Sequence, residues 1–454
     1  MAAIVKAYDI RGLVPDQLDE DVARAVGAAF AQVVGQPRSI VVGHDMRPSS
    51  EPLAAAFASG VRERGTDVVH IGLASTDQLY YASGALDMPG AMFTASHNPA
   101  QYNGIKLCRA GAAPVGQDTG LAEIRDLAEQ ILDRGADGGS AQPGAVEHRD
   151  MLDAYAKHLR GLVPLDGIRP LTVVVDAGNG MAGHTAPAAL DVPGVTLVPL
   201  FFELDGTFPN HEANPIEPEN LRDAQAAVRE ANADIGLAFD GDADRCFVID
   251  ENGRSVDPST LTALIAVREL ERSPGSAIVH NLITSRAVPE IVTEHGGTPI
   301  RTRVGHSFIK QTMAESGAVF GGEHSGHFYF RDFWRADSGM LAALHTIAAL
   351  GTAPAGTTLS QLLAPCERYV ASGEINSTVA DQGKAIAAVE GEFSGRNGVT
   401  LDDLDGLSAR HADWQFNLRP SNTEPLLRLN VEGADRATME GIRDEVLRIV
   451  REER

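Results

Sequence analysis

Apolar residues along this chain recur in a repeating order. In "SIVVGHDMRPSSEPLAAAFASGVRERGTDVVHIG" (39–72) a β-branched apolar run leads into a polar turn, a helix-like stretch and a second short apolar run. The same order returns in "LTVVVDAGNGMAGHTAPAALDVPGVTLVPLF" (171–201) and in "SAIVHNLITSRAVPEIVTEHGGTPIRTRVG" (276–305). Each segment reads as strand–helix–strand, which predicts a parallel or mixed sheet with helices over its faces. Three such segments, spaced about one domain apart, predict three related α/β domains in tandem.

The tail from about 370 to 454 lacks this pattern and reads as a smaller α+β domain. Breaks are expected at the Gly/Asp-rich "DRGADGGSAQPGA" (133–145), near "ENGRSVDPST" (251–260) and at "LGTAPAGTT" (350–358). The expected fold class is α/β: three tandem α/β domains of related topology, each a mixed sheet between helices, plus a smaller C-terminal α+β domain, with the site in the central cleft. The expected domains are 1–145, 146–252, 253–366 and 367–454.

Composition narrows the function classes. At 43% apolar residues the chain can build ordinary globular cores. Its first residues, "MAAIVKAYDIRG", hold no apolar run of signal-peptide length. The longest apolar stretch, "MLAALHTIAAL" (340–350), is interrupted by His345 and is too short for a bilayer. A soluble, cytoplasmic protein is expected. Cys108, Cys246 and Cys366 lie far apart, which suits a reducing compartment and argues against a disulfide framework or zinc site. The net charge of −24 argues against a nucleic-acid partner and tends to repel anionic substrates. Local clusters of Arg and Lys therefore carry more information than usual.

The strongest metal signal is "IGLAFDGDADRCFVID" (235–250). Asp240, Asp242 and Asp244 alternate with Gly241 and Ala243, and in extended chain this spacing puts the three carboxylates on one side. Three hard oxygens suit Mg²⁺. An EF-hand loop would need glycine where Arg245 stands, and the flanks read as strands rather than helices. A plain solvated acidic turn is the bland alternative.

"WQFNLRPSNTEPLLRLNVEG" (414–433) gathers Arg419, Ser421, Asn422 and Thr423 between two strand-like runs, with Arg428 beyond. A guanidinium fork beside turn hydroxyls can form a phosphate nest, though an ordinary β-turn has the same chemistry. "GGEHSGHFYF" (321–330) sets Glu323, Ser325 and His327 on a glycine-punctuated turn, and weaker signals lie at Tyr8 and Arg11, at Arg303 and His306, and at Thr284, Ser285 and Arg286. In "TASHNPAQYNGIK" (94–106) Ser96 adjoins His97, but the flanking glycines of a hydrolase nucleophile elbow are missing.

Together "AYDIRG", "TASHNP", "DGDADR", "GEHSGH" and "RPSNTEP" resemble the α-D-phosphohexomutase superfamily, within it the bacterial phosphomannomutase/phosphoglucomutase group, in the family's order over nearly the whole chain. The resemblance implies three similar α/β domains and a fourth, mobile one, carrying in turn a phosphoserine loop, a metal loop, a sugar-recognition loop and a phosphate-binding loop. It implies that Ser96 carries a phosphoryl group, with Mg²⁺, one per chain, held by Asp240, Asp242, Asp244 and a Ser96 oxygen. His97, Lys106 and Arg11 would handle the proton and charge beside Ser96. Arg419, Ser421, Asn422, Thr423 and Arg428 would hold the non-reacting phosphate, and Glu323 and Ser325 the sugar hydroxyls. Tyr8, Arg245, His306 and His327 would complete the ligand contacts. Arg286 stays outside this set.

The activity so implied is an isomerase that interconverts mannose 1-phosphate and mannose 6-phosphate through hexose 1,6-bisphosphate, which also serves as activator. Asn422 and Ala243 point away from phosphoglucosamine mutases, while "GEHSGH" and "RVGHS" lean towards mannose phosphates and leave glucose phosphates open. A phosphoglucomutase or phosphoglucosamine mutase is the nearest alternative. An Mg-dependent phosphatase, a serine hydrolase or a non-catalytic phosphosugar-binding protein represents other classes. The expected partner is a small hexose phosphate, with no nucleic acid or membrane, and the chain a monomer or weak dimer.

Overall fold

A computed structural model describes residues 1–134, 142–421 and 426–452. The chain forms two compact units, one of residues 1–257 with 325–362, the other of 258–324 with 363–454.

The first unit holds two mixed sheets. One runs in the order Ile10–Leu13, Tyr102–Arg109, Gly90–Phe93, Ser39–His44, Asp67–Leu73, Val146–His148. Its centre is parallel, and Tyr102–Arg109 enters antiparallel against both Gly90–Phe93 and Ile10–Leu13. The apolar faces of helices Glu20–Val33 and Ser50–Glu63 cover it around Phe30, Phe57 and Phe93. These helices touch backbone to backbone because their contact residues are glycines. A Cβ on Gly27 would stand 2.1 Å from the Phe57 carbonyl, and one on Gly60 1.9 Å from that of Arg24.

The second sheet runs Ser255–Val256, Cys246–Ile249, Ile235–Phe239, Leu171–Asp176, Val195–Leu200. Its three strands Ile235–Phe239, Leu171–Asp176 and Val195–Leu200 are parallel, and Cys246–Ile249 returns antiparallel as a hairpin partner. The apolar stretch 340–350 lies inside the helix Gly339–Thr352, almost wholly buried and capped by the Ser338 hydroxyl, which accepts from the Leu341 N–H. It is a core helix, and among the described residues no helix is long and apolar enough to cross a membrane.

In the second unit, parallel strands Thr298–Thr302, Ala277–Asn281 and Phe320–Gly322 lie side by side, with helices Pro258–Arg272, Ala287–Glu294 and His306–Ser316. The C-terminal part is an antiparallel sheet in the order Val370–Thr378, Leu426–Gly433, Trp414–Pro420, Leu407–Arg410, Thr400–Asp402. Helices Gln382–Phe393 and Arg436–Glu452 close it over a core of Phe393, Trp414 and Phe416. All three strand–helix–strand segments of the sequence fold as such, with their strand pairs parallel.

Candidate active site

The strand Gly90–Phe93 hands the chain to a tight loop at Thr94–Asn98. Ser96 there has φ +50°, a left-handed conformation uncommon for a residue with a side chain. Neighbouring groups hold it in place. The Thr94 hydroxyl accepts from the Ser96 N–H at 3.0 Å. Arg47, fully buried at the end of Ser39–His44, donates to the carbonyls of Ser96 (2.9 Å), Asn98 (2.6 Å), Pro99 (2.9 Å) and Tyr102 (3.0 Å). Its Nε stands 3.3 Å from the Asp45 carboxylate, which offsets its charge. One guanidinium thus ties four loop carbonyls together, a use its five donors in a rigid fork suit well.

The acidic loop meets this one at Gly241, where an added Cβ would stand 2.4 Å from the Ser96 carbonyl. Extended alternation does not align the three carboxylates, contrary to the spacing argument. The stretch 240–245 is a turn, with Ala243 at φ +60°, so the side chains converge because the backbone curls around them. The flanks are strands of an antiparallel hairpin, as the pattern predicts, and this rules out an EF-hand.

The convergence is close. Ser96 Oγ donates to Asp240 Oδ2 at 2.6 Å. Lys106, on Tyr102–Arg109, donates to Asp242 Oδ2 (2.7 Å) and Asp244 Oδ2 (2.5 Å). Thr76, at the first turn of helix Thr76–Leu86, donates its hydroxyl to Asp242 Oδ2 (2.6 Å) and its N–H to the Asp242 carbonyl (3.0 Å). Arg245 reaches Asp240 Oδ2 at 3.5 Å and His327 Nε2 at 3.3 Å, and His327 Nδ1 lies 2.9 Å from the Ser325 hydroxyl. His97 Nδ1 is 3.3 Å from Ser96 Oγ. Arg11 bonds Asn98 Oδ1 and Asp9, so it steadies the same loop.

Burial, with Asp242 and Asp244 close by, raises the pKa of Asp240 well above the ordinary range. Burial also acts against the charge of Asp244, but Lys106 and His327 outweigh it and hold its pKa well below that range. Burial works against Lys106 too, and Asp242 and Asp244 outweigh it, so the ammonium stays charged. The charge of Arg245, burial and Arg11 together keep His97 neutral. Behind Thr76, Asp77 accepts from the hydroxyls of Ser75, Tyr155 and Ser338, and burial pushes its pKa up to about 6.

A cation fits this arrangement. Oxygens of Asp240, Asp242 and Asp244 lie within 4.8 Å of one another, and Asp242 Oδ1 is buried without a hydrogen-bond partner. Such an oxygen is costly unless something positive meets it. The donor set is all oxygen, as hard divalent cations require.

The remaining candidates have other surroundings. Tyr8 is half-buried in the bend before Ile10–Leu13. In the second unit, Glu323 is buried and accepts from Asn281 Nδ2 and the Gly305 N–H, both at 3.2 Å. His306 opens the helix His306–Ser316; its side chain, with Asn422 and Thr423, lies outside the described residues. Arg419 and Arg428 face each other across paired strands, and both grip Glu374, at 2.8 and 3.2 Å. Arg428 also donates to the Ser421 hydroxyl at 3.3 Å, and the Ser421 N–H bonds the Leu426 carbonyl at 2.7 Å.

Sequence reading missed Arg47, Thr76, Asn281 and Glu374. The first left a trace, because "HDMRP" sets a charged pair directly after an apolar strand. The other three are ordinary polar residues whose partners are distant in sequence.

Comparison with known proteins agrees with this geometry. Four family profiles match in order: phosphoglucomutase/phosphomannomutase alpha/beta/alpha domain I over 2–134, domain II over 153–253, domain III over 257–369, and the C-terminal domain over 374–449. The phosphomannomutase of Salmonella montevideo is 41% identical over 98% of each chain, and the phosphohexose mutases of Xanthomonas campestris pv. campestris 44% over 98% of each. The crystal structure of a phosphoglucomutase/phosphomannomutase family protein from Burkholderia thailandensis superposes with a TM-score of 0.89 at 34% identity, covering 100% of this chain and 98% of that one. The family is metal-dependent, in keeping with the buried acidic cluster. With the motifs in family order and the serine and acidic loops in contact, the chain belongs to the phosphoglucomutase/phosphomannomutase family of the α-D-phosphohexomutases and is a phosphomutase, an isomerase.

Proposed function

We propose that the chain is a phosphomannomutase that interconverts mannose 1-phosphate and mannose 6-phosphate, with glucose phosphates as further substrates. Ser96 carries the phosphoryl group, and hexose 1,6-bisphosphate is both intermediate and activator. The observation that carries this reading is the 2.6 Å contact between Ser96 Oγ and Asp240 inside a buried cluster of three carboxylates and one ammonium. A hydrolase serine would also need an acid partner for its base and a set of oxyanion donors.

Asp240, Asp242, Asp244 and an oxygen on Ser96 would hold Mg²⁺, one per chain. Bound there, the ion would neutralise charge on the transferring phosphoryl group, which is most of what such transfer requires. The chain's own groups do the rest. Arg47 fixes the loop that carries Ser96 through its carbonyls. His97, Lys106 and Arg11 together handle the proton of the attacking hydroxyl and the charge beside Ser96. Arg245, with His327, supports the acidic loop.

Arg419, Ser421, Asn422, Thr423 and Arg428 receive the phosphate that is not reacting, with Arg419 exchanging Glu374 for it. Glu323 and Ser325 bond sugar hydroxyls, with Tyr8, His306 and His327 as further contacts. The domains end near residues 145, 252 and 366 in this reading. The chain acts in the cytoplasm as a monomer or weak dimer without nucleic acid, in keeping with its net charge of −24.

The test is ³¹P NMR of the protein with Mg²⁺ and a trace of hexose 1,6-bisphosphate, offering mannose, glucose and glucosamine 1-phosphates separately. Mannose 6-phosphate should appear fastest. Release of inorganic phosphate alone would make the protein a phosphatase, and preference for glucosamine phosphate would refute the assigned sugar.

A further inference from the structure

The second unit contains a cavity of about 320 Å³ that the phosphomutase reading does not use. It lies between the strands and helix that start with Ala277–Asn281 and the C-terminal antiparallel sheet. Arg286, Arg301 and Arg410 line it, with His280, Thr284 and Gln415. His280 faces the cavity, whereas its strand neighbour Asn281 bonds Glu323, so the cavity lies on the other face of the strand from that candidate sugar contact.

Carboxylates stand close to it as well: Glu432 accepts from the Arg286 N–H and from Gln415 Nε2, both at 3.0 Å. Glu290 is the acidic residue lining it, and that carboxylate is shared by Arg286 (3.3 Å), Arg368 (3.4 Å) and the Tyr369 hydroxyl (2.7 Å). Arg301 pairs with Asp402 through one terminal nitrogen at 2.8 Å, while its Nη1 is buried with no hydrogen-bond partner. Arg410 has no hydrogen bond or ion pair through its side chain among the described residues. Burial, then Arg301 and Arg286, work against its charge and outweigh Asp402, which favours it. His280 cannot share the load as a cation, because burial and the nearby arginines hold its pKa down to about 4, so it is neutral and keeps an uncharged ring on the wall.

Three guanidinium groups lining one cavity are unusual on a chain of net charge −24. Forked donors of this kind bind phosphate oxygens in pairs. The volume falls at the small end of the about 300–1,000 Å³ span of ligand pockets. We propose that this cavity is a second anion site, which binds a small phosphate-bearing anion of pyrophosphate size through Arg286, Arg301 and Arg410. An anion there joins Arg286 and Arg301 to Arg410 of the C-terminal sheet, so its binding bears on how firmly that sheet is held. The inference does not rest on the assigned sugar or on Ser96.

The test is calorimetric titration of the full chain with pyrophosphate in metal-free buffer, at low and at physiological salt. Two binding events are expected, one lost in Arg419→Ala and the other weakened at least tenfold in Arg410→Gln and in Arg301→Gln. The Arg410→Gln protein should keep its mutase turnover when no anion is added. Because Arg301 is partly exposed, Arg301→Gln serves if Arg410→Gln does not fold. Unchanged stoichiometry and affinity in the folded variants would overturn the site, as would a single event abolished by Arg419→Ala.

Discussion

Around Ser96 the charged groups are held from many directions, whereas Arg419 and Arg428 share one carboxylate on a neighbouring strand. Arg47, Thr76 and Lys106 reach the serine and acidic loops from separate parts of the fold, Arg245 adds a contact from within the acidic loop, and nearly every atom involved is buried. Arg419 and Arg428 share Glu374 from within one antiparallel sheet. The contrast suits the two tasks proposed for these residues. A group that transfers phosphoryl must stay within a fraction of an ångström of its productive position, and many rigid bonds achieve that. A group that holds and releases a phosphate needs a partner it can exchange, and one half-buried glutamate is enough.

The largest effect expected is in Ser96→Ala. Isomerisation of mannose 1-phosphate should fall to background, since the hydroxyl that would carry the phosphoryl group is gone. Near-normal turnover followed by ³¹P NMR would remove Ser96 from that role.

Arg47→Met comes next. It leaves four carbonyls without their donor and Asp45 without its charge partner, so about 3–5 kcal/mol of stability should be lost. Urea unfolding measures this. The sharper readout is turnover at a temperature where the variant is still folded: kcat should drop with KM little changed, because the loop and not the sugar contacts is disturbed. A stable variant with full kcat would contradict the loop-holding role.

Arg419→Ala should act the other way. Loss of a charge-assisted hydrogen bond of about 1.5–3 kcal/mol corresponds to a rise in KM of roughly 10- to 150-fold, with kcat nearly kept. A pure kcat effect would place Arg419 among the reacting groups and erase the contrast.

The smallest change is expected for Glu374→Gln. Removing the competing charge should lower KM by about two- to fivefold, under about 1 kcal/mol in binding. A higher KM would mean that Glu374 positions the arginines more than it competes for them.

Much of this fold was legible from pattern. The strand–helix–strand segments 39–72, 171–201 and 276–305, the hairpin around Asp240 and the strands flanking Arg419 all follow from local periodicity and turn chemistry. The candidate site was legible only in part. Ser96, the three aspartates and Lys106 stand in motifs, but a curled turn, not a strand's alternation, makes the carboxylates converge. A local sequence rule describes the preferred shape of a segment taken alone. It could not report that Gly241 packs against the Ser96 carbonyl, or that the turn draws the three carboxylates together.

The sequence by itself determined which segments become strands and helices and which residue types could do the chemistry, because backbone preference and side-chain chemistry are local properties. Tertiary structure alone decided that Arg47 would bind the carbonyls beside Ser96, that Thr76 would clasp Asp242 across 166 residues, and that Glu374 would meet two arginines. Those contacts depend on distances between parts remote along the chain, and only packing of the sheets and helices sets them.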